Sequence, residues 1–191
     1  MITYKTMSSN RYSNWVTLLG AMLWLAAGLI LSLRPAGNPP HFFRTSADLI
    51  PFLALGLVLV GAPFGLKMLA FEKAGGRLFK AVCLAVVFSS LTYAVGVAIR
   101  HLFLQGTGWE PFMPLGFLAF IISWALVGVL SLKKGFLSGL AGALMIGSAI
   151  SLLTFNDQYN PYGAIAFGIL VSLVVLLSRK DHKLANITNS L

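Results

Sequence analysis

Six runs of apolar residues, separated by short polar stretches, take up nearly the whole chain. Residues 15–33 (WVTLLGAMLWLAAGLILSL) carry no charge. A helix of that length rises about 28 Å, against a bilayer hydrocarbon core of roughly 30 Å. Comparable runs follow at 49–66, 81–99, 111–132, 135–156 and 158–178. The pattern predicts an all-α fold, a multi-pass transmembrane helical bundle of six spans over 15–178, between a polar amino tail (1–14) and a polar carboxyl tail (179–191). The fifth run follows the basic pair Lys133 and Lys134 and carries Gly135, Gly139 and Gly142 at helical spacing, a small-residue face on which other helices can pack. Gly61 and Gly65 offer the same spacing in the second run, where Pro63 is expected to bend the helix or limit its last turn. The first run exceeds the usual core of a secretory signal, which favours a retained helix.

The connecting stretches read as loops. Residues 34–48 (RPAGNPPHFFRTSAD) hold three prolines and a glycine, and AFEKAGGRLFK is a basic, glycine-containing turn. Of the 14 lysines and arginines, all but Arg34, Arg44 and Arg100 fall in the two tails and the second and fourth connections. By the positive-inside rule both termini are cytoplasmic, and the loops after spans one, three and five lie outside, in a plasma or inner membrane.

Composition agrees with that picture. The chain is 58% hydrophobic and only 10% charged, with a net charge of +9. Because the bases sit in short connections and form no aromatic-rich basic patch, they point to membrane orientation and not to nucleic acid. Cys83 is the single cysteine and lies in an apolar run, which excludes an intrachain disulfide or a cysteine metal cluster.

The three helices expected to run inward begin alike, with Asp48 ahead of Pro51, Glu110 ahead of Pro114 and Asp157 ahead of Pro161. This marks either a threefold helical-hairpin duplication or common helix-start chemistry. Acids are stabilised at helix amino ends and proline is tolerated in the first turn, so the second explanation is the simpler one.

No Asp, Glu, Lys, Arg or His falls near the middle of any run. Proton-coupled transporters and pumps usually need one there. His41, His101 and His182 are not placed to hold a haem from both sides, and no hydrolase, nucleotide or zinc motif occurs. No catalytic residue, metal site or cofactor is therefore assigned. Two candidate polar regions remain. In the third run Ser89, Thr92, Tyr93, Gly96 and Arg100 share one helical face, suited to interhelical hydrogen bonding or to a vestibule wall. At the outer surface Asp48, Arg100, His101, Glu110 and Asp157 approach one level, forming either a small polar ligand site with Tyr93 beneath it or ordinary helix-end decoration. Asn186-Ile187-Thr188 matches a glycosylation acceptor, but on the expected cytoplasmic side it would go unused.

The function these features favour is a non-enzymatic accessory subunit or sensor-like scaffold, with the lipid bilayer and a membrane protein as partners. The alternatives are a small transporter or channel for an uncharged or amphipathic solute, and a membrane enzyme with an outer-surface site built on His101.

Overall fold

The computed structural model describes the backbone of residues 3–35, 47–69, 72–103, 111–134, 136–156 and 159–188, and the side chains in those ranges apart from 3–11, 72–75, 134 and 179–188. Six helices follow one another: α1 (Thr3–Leu33), α2 (Ile50–Leu69), α3 (Glu72–Leu102), α4 (Phe112–Lys134), α5 (Gly139–Thr154) and α6 (Tyr162–Thr188). Four contain a stretch long and apolar enough to cross a membrane, while Gly139–Thr154 and Tyr162–Ser178 are shorter apolar segments. The chain is an all-α helical membrane bundle.

Several helices depart from the bounds of the apolar runs, each for a local reason. α1 reaches back through the expected tail to Thr3, a stretch that lacks both proline and glycine. α3 enters its long apolar stretch through Gly76, whose φ of 75° is a backbone conformation that side-chain-bearing residues rarely adopt. α5 starts at Gly139 and not at 135, because Ser138 caps it by accepting a hydrogen bond from Ala141 N. The apolar run extends beyond this helix as non-helical chain, and Phe136 packs on Phe79 with ring centroids 4.9 Å apart. α2 passes through Pro63 and continues to Leu69.

Each helix packs on its neighbours in sequence, and α6 returns to α1, so the six close into a ring. Asn14, Lys67 and Ser178 meet at the end that holds the amino terminus, whereas Arg34 and Asp48 meet at the opposite end. Aromatic rings fill the centre. Phe64 of α2 meets Trp124 of α4 at 4.9 Å, and Trp24 of α1 stacks on Phe117 of α4 at 6.3 Å. Trp24 also meets Phe167 of α6 edge-on at 5.2 Å. The pairs α2 with α4 and α1 with α4 are not neighbours in the ring, so these side chains reach across its middle. Leu19, Phe52, Leu66, Phe88, Ile122 and Ile150 point outward and are exposed, as lipid contact requires.

Lipid is as apolar as leucine, so helix association in a membrane depends on close packing more than on apolar burial. Glycine supplies that closeness around the ring. A Cβ on Gly20 would lie 2.6 Å from Gly56 O, one on Gly128 would lie 3.1 Å from Gly142 O, and one on Gly168 would lie 2.7 Å from Ala21 O.

The second and third hairpins resemble one another more deeply than their prolines alone suggest. Both carry Pro-x-Gly-x-x-Ala-Phe, as Pro114 to Phe120 and as Pro161 to Phe167. Gly116 presses on the backbone of Tyr93, and Gly163 presses on that of Phe155. Each of those aromatics follows a threonine, Thr92 or Thr154. Phe120 and Phe167 are both fully buried, with centroids 6.4 Å apart. Neither the glycine nor the phenylalanine serves the helix start, so helix-end chemistry accounts for the prolines but not for this shared packing. The first hairpin has Leu53 and Leu57 at the equivalent positions.

Candidate functional site

At the bundle end opposite the amino terminus, the structure joins Asp48 to Arg34. Arg34 Nη1 donates to Asp48 Oδ1 at 2.9 Å, and Nη2 donates to Oδ2 at 2.6 Å. The fork clamps the end of α1 to the start of α2. Hydrogen bonding from the guanidinium holds the Asp48 carboxyl below its usual value of 3.8, and the Arg34 guanidinium is raised by the same contact. The side chains are 27% and 62% exposed, so solvent screening limits the pair to about 0.2–1 kcal/mol. Because the folded carboxyl titrates lower than the unfolded one, the contribution is present above about pH 4 and disappears as the pH falls through the folded value. The melting temperatures of the parent protein and Asp48→Asn should therefore differ slightly at neutral pH and converge as the pH falls below the ordinary carboxylate range. A gap that stays constant with pH would refute this assignment.

Of the rest of the candidate outer set, the described residues Arg100 and His101 do not bond to that pair. Arg100 is half-buried, with Nη1 4.0 Å from Met113 Sδ. His101 Nε2 is buried and has no hydrogen-bond partner among the described residues. Glu110 and Asp157 lie outside the described residues.

Tyr93 is a core residue, 5% exposed, its ring 5.5 Å from that of Phe117. Its neighbours on the polar face of α3 are occupied locally. Ser89 donates to Val86 O and lies 3.5 Å from Ser123 Oγ of α4, and Thr92 donates to Phe88 O. Ser123 likewise donates to Ala119 O, so these hydroxyls are satisfied within their own helices. Among the singled-out glycines, Gly61 and Gly65 sit where α2 meets α3, against Ser90 and the Cys83 carbonyl, and Gly142 sits where α5 meets α4. A Cβ on Gly139 would meet nothing within 4 Å. Gly135 lies outside the described residues.

The most distinctive polar cluster lies at the amino-terminal end of the bundle. Lys67, one of the bases that the sequence assigns to the second connection, is 7% exposed. Its Nζ donates to Asn14 Oδ1 at 2.9 Å and to Ser178 Oγ at 3.2 Å, and it lies 5.8 Å from the centroid of the Phe64 ring. Ser13 Oγ donates to the carbonyl of Pro63 at 2.7 Å, and buried Thr17 donates to Ser13 O. One amine thus ties α2 to α1 and α6 beside the aromatic centre. No family model, no curated protein and no solved structure matches this chain.

A faint signal for the cluster was present in α1. Asn14, Thr17, Ala21, Trp24, Gly28 and Leu31 recur every three or four residues, and all are buried. The buried stripe runs without a break from apolar into polar residues, so the polar ones belong to the bundle. Periodicity taken over apolar residues alone stops at Trp15 and assigns Asn14 to a tail.

Proposed function

We propose that this integral membrane protein is a non-enzymatic module, an accessory subunit or sensor-like component, with the amino-terminal end of its bundle toward the cytoplasm. The observation that carries this reading is the filled centre. Trp24, Phe64, Phe120, Trp124 and Phe167 are all buried to within 1% and interlock across the ring. Several chemistry-bearing groups among the described residues are engaged elsewhere: Asp48 in an ion pair, Cys83 and Tyr93 in packing, Lys67 in joining helices. The orientation rests on the distribution of bases.

A second reading, a carrier for an uncharged or amphipathic solute, is supported by Pro63 between Gly61 and Gly65 beside a buried lysine. Interrupted helices mark binding sites in many transporters.

One experiment separates the two. The tagged protein is purified from its native membrane in mild detergent, and everything retained is identified by mass spectrometry. The module reading expects a membrane protein in stoichiometric amount. A lone chain carrying one specific small molecule would overturn it in favour of the carrier.

A further inference from the structure

The last part of α2, Gly61-Ala62-Pro63-Phe64-Gly65-Leu66-Lys67, is held in different ways on its two sides. Pro63 has no N–H, so the carbonyl four residues earlier receives no helical bond from it, and proline is a common site of helix bending. Toward α3 the segment presents Gly61 and Gly65, which lie close to their neighbours but have no side chain to interlock. Toward α1 and α6 it is held by polar contacts: Ser13 to the Pro63 carbonyl, and Lys67 to Asn14 and Ser178. Phe64, which meets Trp124 in the ring centre, is carried by the same turn.

Lys67 lies two residues from the end of α2. A lysine so placed in a membrane helix has a ready alternative, because its long side chain can snorkel to interfacial water. The fold instead turns the amine inward, where it donates to Asn14 Oδ1 and Ser178 Oγ. The inward position hydrogen-bonds the charge, and a snorkelled one would hydrate it.

We propose that residues 61–69 of α2 form a gate hinged at Pro63 and latched by Lys67 on Asn14 and Ser178. Release of the latch moves Lys67 to the membrane surface and draws Phe64 away from Trp124. The ring centre then opens from its amino-terminal end. The device is the same whether the opened centre serves a partner helix or a solute, so it stands independently of the functional reading above.

Cys83 supplies a native reporter. It is the only cysteine in the chain and is fully buried, and its carbonyl oxygen lies 2.9 Å from the place a Gly65 Cβ would take. Opening of the gate uncovers this part of α3. The test is the rate at which N-ethylmaleimide modifies Cys83 in the full-length protein in lipid nanodiscs, followed by intact mass. Asn14→Ala with Ser178→Ala, which removes the two latch partners and keeps the charge, should raise the rate about tenfold or more, since the inward hydrogen bonds no longer oppose local opening. Adding Pro63→Ala to this pair should bring the rate back down by restoring a continuous helix. A second reporter, Ala27→Cys in a Cys83→Ala background, sits buried in α1 about 20 Å along the helix from Asn14 and should be unaffected by the pair. The proposal is overturned if Asn14→Ala with Ser178→Ala leaves Cys83 protected, if both reporters accelerate together as general unfolding requires, or if Pro63→Ala has no slowing effect.

Discussion

Gly116→Leu should abolish most of the folded, monodisperse protein, whereas Gly139→Leu should leave it intact. At Gly116 a new Cβ would fall against the backbone nitrogen and Cα of Tyr93 and the carbonyl carbon of Thr92. These atoms belong to α3 itself, so no side-chain rotation relieves the clash and the two helices must separate. Overpacking of ordinary cores costs about 1–3 kcal/mol, and a clash with backbone belongs at or above the upper end. Separation of α3 from α4 would also pull apart Ser89 and Ser123 and the Tyr93–Phe117 ring pair. At Gly139 the added atoms enter open space. Size-exclusion profiles and thermal melting in detergent measure both variants under the same conditions. Equal behaviour of the two would mean that close approach at Gly116 does not hold the ring together.

The same pair of glycines shows what the sequence could and could not convey. Run lengths and flanking charges were enough to predict six helices and an all-α membrane bundle, because each span must satisfy its own backbone in lipid and so leaves a local record. Which glycines lie at crossings is not a local property. Gly135, Gly139 and Gly142 are at helical spacing, yet of the two described, only Gly142 meets a neighbouring helix closely, whereas Gly116, with no glycine at helical spacing beside it, presses on the backbone of α3. Pairing of charges was equally hidden. Asp48, Arg100 and His101 approach one level of the membrane, but Asp48 is taken by Arg34, the base at the other end of its own loop. Lys67 counts by sequence among the bases of the second connection, since a lysine two residues from a helix end usually faces water. Its inward turn depends on Asn14 and Ser178, 53 residues before it and 111 after it.

Trp124→Ala should be the most damaging single change in the ring centre. The indole is fully buried, packs on Phe64 at 4.9 Å and on Phe120 at 5.5 Å, and donates from Nε1 to Ser148 Oγ at 2.9 Å. Truncation removes the ring that joins α2, α4 and α5 and leaves a space its neighbours cannot close without moving helix axes. Core Trp→Ala changes cost about 3–5 kcal/mol in well-packed proteins. The hydrogen bond is the smaller part, on the order of 0.6 kcal/mol for interhelical bonds in membranes. Ser148 keeps its own donation to the Met145 carbonyl when the indole is lost. Trp124→Phe, which gives up the bond but retains most of the ring, should therefore recover most of the melting temperature lost in Trp124→Ala. If Phe proves as damaging as Ala, the hydrogen bond to α5 and not the aromatic packing holds the centre. At Trp24 the Trp→Phe step should cost less than at Trp124. Trp24 Nε1 is buried with no hydrogen-bond partner among the described residues, its edge lying against Gly56, so Trp24→Phe loses shape alone.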